Sequence, residues 1–298
     1  MNNFIKDKVI YTSNNPKLDY RIIFARIKNG NFEYILGRFR LFRGIYSQYR
    51  KLRQILQKPK KHLSFPSQII HNSNLSVSSI VECIKQNSYY DKVELNSKSL
   101  ASIVNAAQNL PLSTASLNSS FTYREYIHHL NAKHTIAMAH LDEPLKIDEI
   151  YRLRHDDLLL EISEKYLGYL PEKCDVRLWW SFASNLSLEE RRRQFQTVDY
   201  HYDIHGFNFF YISFYLTDVD VNSGAHVLVK SSHKNKKISM LLRSARCPDE
   251  TIQQYYPQED IITIEGKAGK CFLEDTSCFH KALPPIERDR LFLQLRYY

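Results

Sequence analysis

A mainly β fold, a jelly-roll barrel with helices packed outside it, is predicted by three features of this sequence. The second half breaks into short strand-like runs separated by turn-rich segments. Those runs are built on aromatics, for the chain holds 20 Tyr and 16 Phe against 8 Gly. Helical periodicity falls mostly before Val176 and otherwise in brief inserts. With 298 residues and 43% hydrophobic content, the chain suits one large domain with additions and is too apolar for disorder.

Taken in order, residues 1–75 read as a basic, partly helical amino-terminal region, and residues 76–298 as the barrel domain with its outer helices. No acidic residue occurs between Tyr34 and Val81, whereas Arg38, Arg40, Arg43, Arg50, Lys51, Arg53, Lys58, Lys60 and Lys61 fall there. Leu41, Ile45, Tyr49, Leu52 and Leu56 recur at close to helical spacing, which predicts a basic amphipathic helix. A polar stretch from Ser64 to Ser79 follows. Asn96 or Ser97 caps a helix that runs to Leu110 and stops at Pro111. A helical zone from about Ile147 to Tyr166 carries an apolar stripe of Ile150, Leu153, Leu158, Ile162 and Leu167, closed by Gly168. Ser187 with Glu190 is a capping box opening a short helix through Gln194.

From about Val176 the reading turns to strands: Arg177 to Phe182, the segment around His201, 208–216, 225–230, 261–265, 270–274 and 290–297. A helical insert spans Pro248 to about Tyr256. The last strand alternates cleanly, so Arg290, Phe292 and Gln294 share one face and Leu291, Leu293 and Leu295 the other. For a site inside the barrel, the Arg290 face must point inward.

The chemistry rests on His201-Tyr202-Asp203, with His280 far downstream. Residues i and i+2 of a strand face the same way, so one imidazole and one carboxylate can grip one side of a metal ion. A second imidazole from a distant strand completes a 2-His-1-carboxylate triad that leaves positions open and suits ferrous iron. Among 12 His a His-x-Asp is weak evidence alone, and His205 extends it to His-x-Asp-x-His. Its context adds weight. An aromatic run, Phe209 to Leu216, leads through Thr217-Asp218 to Ser223-Gly224 and on to Ser231-Ser232-His233. Gly269 to Thr276 then precedes His280, Pro284-Pro285 and Arg290.

Together these segments resemble the phytanoyl-CoA dioxygenase family of Fe(II)/2-oxoglutarate-dependent oxygenases. The resemblance covers roughly the last 130 residues well, the middle loosely and the first 75 not at all. It implies His201, Asp203 and His280 as iron ligands and Arg290 as partner of the far carboxylate of 2-oxoglutarate; Gln196, five residues before His201, is placed within reach of the co-substrate as a further contact. Arg288 shares the parity of Arg290 and is its rival; the family's usual interval favours Arg290. Some members carry a hydroxyl residue two positions after the distal His, where this chain has Ala282. Halogenating relatives lack the carboxylate, so Asp203 points toward hydroxylation or a related oxidation.

Other residues read as structural. His205 is expected to turn toward solvent, His226 and His233 to serve a turn, and Trp179, Trp180 and Tyr211 to pack in the core. Glu274 and Asp275 face opposite sides of a strand and cannot form one acid–base pair. The five Cys are scattered and include no Cys-x-x-Cys, which argues against a disulfide framework or zinc knuckle. Cys278 can share the His280 face, although a small buried hydrophobe is the plainer reading.

No secretory h-region or membrane-length apolar run is read, which places the chain in the cytoplasm, with a membrane-peripheral position open. For the basic helix three readings stand: packing its apolar stripe on the core with a solvated basic face, lying on an anionic membrane or partner, and contacting nucleic acid. The last is disfavoured by the lack of a base-stacking motif. The resulting expectation is an Fe(II)/2-oxoglutarate-dependent dioxygenase that uses molecular oxygen to hydroxylate a small or lipid-like organic substrate, releasing succinate and CO2. Its rivals are a non-redox cupin-like metalloenzyme and a degenerate barrel acting as a binding module.

Overall fold

Two antiparallel sheets enclose an aromatic interior. The computed structural model describes residues 27–57, 67–71, 76–115, 117, 119–128 and 135–298. The first 26 residues, Lys58, Lys60, Lys61 and the Ser64 to Pro66 and Asn72 to Leu75 parts of the polar stretch lie outside these. The strands are β1 (Ile70–His71), β2 (Tyr89–Leu95), β3 (Leu112–Ser113), β4 (Met138–Leu141), β5 (Cys174–Ser181), β6 (Tyr200–His201) and β7 (Phe210–Tyr215). They continue with β8 (His226–Val229), β9 (Arg246–Cys247), β10 (Ile261–Ile264), β11 (Lys270–Glu274), β12 (His280–Ala282) and β13 (Arg290–Tyr297). The larger sheet runs β1-β2-β11-β7-β13-β5-β4-β3 and the smaller β10-β8-β12-β6-β9. This is the jelly-roll barrel the sequence predicts.

Alternation sorts each strand between two environments. Tyr215, Phe272 and Phe292 of the larger sheet meet Leu228 and Ile264 of the smaller inside the barrel. The outward residues Phe210, Ile212, Phe214, Leu291, Leu293 and Leu295 pack beneath the helices, so the parity read for β13 holds. The Tyr215 hydroxyl joins the two sheets, donating to the Ile264 carbonyl and accepting from the His226 amide, each at 2.8 Å.

The helical zone read as continuous is two helices, Asp148–Arg154 and Asp157–Leu167. Asp156 interrupts it as an N-cap, accepting from the Leu159 amide at 3.2 Å, because a short acceptor satisfies an end amide better than a further turn would. Gly168 ends the second helix in a left-handed conformation, as expected. The Ser187–Glu190 capping box is present. The helix Val77–Asn87, capped by Ser76, had been hidden in a Ser/Asn-rich stretch. It packs on β2 and on the Asp157–Leu167 helix. β2 escaped notice because its sequence is charged and only Val93 and Leu95 are buried.

The basic helix exists as Arg40–Leu56, but its orientation reverses the core-packing expectation. Arg43 and Arg50 face the body and are buried, while Leu41, Ile45, Tyr49, Leu52 and Leu56 are exposed. The reason is the surface beneath it, which is lined with acceptors. Arg43 donates to the Asn208 side chain at 2.9 Å and pairs with Asp275 at 3.2 Å, and it also donates to the Ser277 hydroxyl. Arg38, just upstream, donates to the carbonyls of Leu241 at 3.1 Å and Arg243 at 2.6 Å. Charge-assisted bonds of this kind are among the stronger polar contacts. Removing one partner leaves the other buried and uncompensated.

Burial alone would raise the Asp275 pKa, but Arg43, His233 and bonds from Tyr166 and Ser277 outweigh it and hold the carboxyl well below the usual range. A carboxyl depressed on folding adds stability that is complete above its ordinary pKa and is lost as the pH falls through and below it. Arg43→Met is therefore expected to destabilise the chain by about 3 kcal/mol or more in urea unfolding at pH 7. Asp275→Asn should also be weaker at pH 7, yet lose less stability than wild type below about pH 5. Equal acid sensitivity in both would contradict this role for the pair.

Candidate metal centre

Each candidate ligand is placed by a different piece of backbone. β6 and β12 are joined by one register pair, His201 opposite His280, which sets the two imidazoles side by side with ring centres 4.2 Å apart. β6 ends at His201, so Asp203 lies just past the strand. Its amide still donates to the Thr276 carbonyl at 2.8 Å, which continues the extended geometry. Tyr202 between them turns the other way and packs edge-on against Phe279. One ligand atom each from His201, Asp203 and His280 lies within 4.8 Å of the others.

The imidazoles are oriented by the same local device. His201 Nδ1 lies 3.0 Å from the Asp199 carbonyl and His280 Nδ1 3.1 Å from the Cys278 carbonyl, in both cases two residues back. A carbonyl can only accept, so each Nδ1 carries a hydrogen, and in the neutral ring the lone pair is left on Nε2. Burial, with His280 alongside, lowers the His201 pKa to about 4, so this ring is neutral at pH 7. For Asp203, burial favours the neutral acid, but His205, His280 and His201 outweigh it and keep the group ionised. An imidazole held neutral by burial, a second imidazole oriented in the same way and an ionised carboxylate form a donor set for a divalent ion.

Arg290 and Arg288 are separated by the structure. Arg288 is half exposed and paired with Asp220. Arg290 is buried within the barrel, with its guanidinium 5.0 Å over the Phe292 ring. It donates to the Gly224 carbonyl and, at 3.2 Å, to the Ser181 hydroxyl, while its Nε has no partner. Among the described residues no carboxylate pairs with it, and burial lowers its pKa. Gly224 is needed for this approach. Its φ is +91°, and a Cβ there would lie 3.2 Å from the Leu283 carbonyl and 3.6 Å from the Arg290 guanidinium carbon.

Gln196 is buried away from solvent, its Oε1 accepting from Arg191 at 2.9 Å and its Nε2 unpartnered. Arg191 is fully buried, bonded otherwise to the carbonyls of Leu186, Ser184 and Pro285 and to the Ser184 hydroxyl. Nothing in the sequence singles out this arginine, which stands in a run with Arg192 and Arg193. Two of the expectations need correction. His205 does not turn to solvent: its Nε2 is 3.6 Å from Asp203 and its ring lies against Phe209 and Tyr211. The aromatic wall offers the ring more than water does.

His226 is not a turn residue but the first residue of β8, with its ring 5.4 Å from that of His280. It pairs with Glu274 at 2.9 Å inside the barrel. Glu274 is also 3.2 Å from the Cys278 thiol, and despite burial His226 holds its carboxyl below the ordinary range. Asp275 faces outward to Arg43, so the opposite-face reading of the two acids holds. The parity of Glu274 with Phe272 was the available signal for this buried pair.

With fold and geometry established, comparison with known proteins is direct. A family description, phytanoyl-CoA dioxygenase (PhyH), matches residues 101–285, more than half of the chain, and the protein belongs to that family. The match includes the three candidate ligands and stops before Arg290. Solved structures share the fold. The non-heme alpha ketoglutarate dependent epimerase SnoN from nogalamycin biosynthesis is 17% identical, with a TM-score of 0.50 over 74% of this chain and 82% of its own. HygX from Streptomyces hygroscopicus, with nickel, 2-oxoglutarate and hygromycin B bound, is 11% identical, with a TM-score of 0.50 over 75% and 87%. At such identities the likeness is one of fold. No curated protein matches the chain by sequence.

The orientation of the imidazoles gives a direct expectation. In metal-free protein, long-range nitrogen–proton NMR should find His201 at pH 7, and the unprotonated form of His280 wherever it is observed, as Nδ1–H tautomers. An Nε2–H tautomer at either position would contradict the described bonds to Asp199 and Cys278.

Proposed function

We propose that the chain is an Fe(II)- and 2-oxoglutarate-dependent oxygenase that hydroxylates a small or lipid-like organic substrate. The observation that carries this reading is a buried two-imidazole, one-carboxylate cluster in the same barrel as a buried arginine that has no acidic partner among the described residues. Family membership supports it. So does the use of this fold by SnoN, described as alpha ketoglutarate dependent, and by HygX, seen with 2-oxoglutarate and nickel.

The residues present fit both groups. His201, Asp203 and His280 would hold the ion from one side, which leaves positions free for co-substrate and oxygen. Arg290 has the forked donor geometry that a carboxylate needs, and its unpartnered Nε is a buried donor awaiting an acceptor. When bound, iron and 2-oxoglutarate supply the oxidising power: the co-substrate loses CO2 to become succinate, and one atom of O2 enters it while the other enters the substrate C–H bond. The protein's part is geometry and water exclusion. Phe272, Phe292 and Leu228 line the interior with apolar surface, which strengthens every charge interaction within it.

Asp203 occupies the third ligand position, which favours hydroxylation over transfer of a bound halide. His205, close to Asp203 and to the aromatic wall, is suited to orient the substrate or the carboxylate.

The test is turnover of 2-oxoglutarate with Fe(II), read as succinate formed and oxygen consumed across a panel of candidate substrates. His280→Ala is expected to abolish both. Arg290→Met should raise the KM for 2-oxoglutarate by about ten- to a hundredfold, the worth of a charged hydrogen bond or two. Metal uptake without any turnover of 2-oxoglutarate would instead favour a non-redox metalloenzyme.

A further inference from the structure

Seven large apolar side chains stand exposed on the Arg40–Leu56 helix, a concentration found on no other described element. Leu41 is 71% exposed, Ile45 56%, Tyr49 58%, Leu52 61%, Ile55 57% and Leu56 84%. Positions 41, 45, 49, 52 and 56 fall on one side of the helix, so these form a continuous stripe about 25 Å long. Isolated exposed leucines need no explanation, but a contiguous patch of this kind marks a contact surface.

The charges around the stripe identify the partner. The helix contains five basic residues and no acidic one. Arg43 and Arg50 are turned inward and consumed by the body, through Asp275 and Ser277 for the first and Glu172 for the second. The remaining three, Arg40, Lys51 and Arg53, are exposed. By helical geometry Arg53 adjoins the stripe on one side, and on the other Lys51 and Arg40 lie beyond Ile55, on the flank between the apolar face and the buried one. An apolar face edged by cations is the arrangement of a helix lying in a bilayer interface, its side chains among acyl chains and its cations at lipid phosphates. A protein groove would need no such border of like charge.

The helix is also held in a way that a loose amphipathic tail is not. Its inner face is fixed by buried polar contacts: Arg43 to the turn before β12, and Gln54 to the backbone of Leu170 through both its amide nitrogen and oxygen, at 2.7 and 3.0 Å. The apolar face is thus presented on a rigid body, and membrane contact costs little ordering entropy. Among the described residues no helix is long and apolar enough to cross a membrane.

We infer that the Arg40–Leu56 helix docks the protein onto anionic lipid surfaces through its outward apolar stripe and the flanking Arg40, Lys51 and Arg53. This holds whatever reaction the barrel performs. The test is co-sedimentation of the full chain with vesicles of phosphatidylcholine alone or with about one third phosphatidylserine, in low and physiological salt. The chain should sediment with the anionic vesicles and far less with the neutral ones. Leu41→Gln with Leu52→Gln should weaken binding more than tenfold at any salt. Arg40→Gln with Lys51→Gln should weaken it about fivefold per cation and remove much of its salt dependence. These side chains are exposed, so thermal unfolding of each variant should match wild type.

Three outcomes would overturn the inference. One is absence of binding to anionic vesicles. Another is binding that the leucine substitutions leave unchanged. The third is a concentration-dependent dimer in sedimentation velocity that those substitutions abolish, since this would show a second copy covering the stripe.

Discussion

A single backbone pairing, His201 against His280, joins β6 to β12 and governs the chemistry available to this barrel. The strands are far apart in sequence and β6 has only two residues, so the pairing cannot rest on its own ladder. It is held from both sides. The Asp203 amide bonds the Thr276 carbonyl, the Ala282 amide bonds the Thr197 carbonyl, and Tyr202 packs against Phe279 on the outer face. A slip of one residue in β6 would turn His201 outward and bring Tyr202 into the barrel, and the same slip in β12 would exchange His280 for Phe279. The carbonyl two residues back from each histidine then fixes its ring. The site is therefore organised by main chain, with side chains following.

Around that pairing the interior combines apolar surface with charge that packing alone would not select. Arg290, Glu274 with His226, and Arg191 with Gln196 are all buried or nearly so. Groups of this kind are weak evidence for stability, since apolar replacements of similar shape often do as well. Their retention is better understood through function. Arg290 is positioned with spare donors, and Glu274 with His226 lies next to the His280 ring. Outside the barrel the Arg43–Asp275 pair follows a different logic. It ties the amino-terminal helix to the turn that leads into β12, so the site and the helix share one anchoring point.

How much of this was legible depended on whether the signal was local. Most strands from Val176 onward were readable because alternation and aromatic content leave a period-two trace, and β13 is the clearest case; β9 and β12, of two and three residues, are too short to leave one. The four residues of the candidate site were readable because short spacings and their order along the chain survive without any knowledge of the fold. Arg288 and Arg290 were not separable by parity, because that choice depends on where β13 begins. β2, charged and largely half-exposed, leaves no trace of the neighbours that make it a strand.

The amino-terminal helix shows a different failure. Periodicity correctly identified an amphipathic helix, but the rule that the apolar face turns inward gave its packing backwards. Carbonyls at Leu241 and Arg243 and the Asp275 carboxylate, all remote in sequence, provide the acceptors that Arg38 and Arg43 satisfy. Likewise His226 and Glu274 pair across the barrel from separate strands, and neither is remarkable in its own segment. His205 was misread because the aromatic wall that shelters it forms only on folding.

The central claim is that His201, Asp203 and His280 act with Arg290 as one chelating site. It is tested most directly by anaerobic titration of the purified chain with Fe(II) and 2-oxoglutarate, followed by visible absorption. The account predicts a weak charge-transfer band that saturates at one iron and one 2-oxoglutarate per chain, lost in His201→Ala and requiring more co-substrate in Arg290→Met. Absence of the band from folded wild-type protein that has bound iron, or its persistence in His201→Ala, would contradict it.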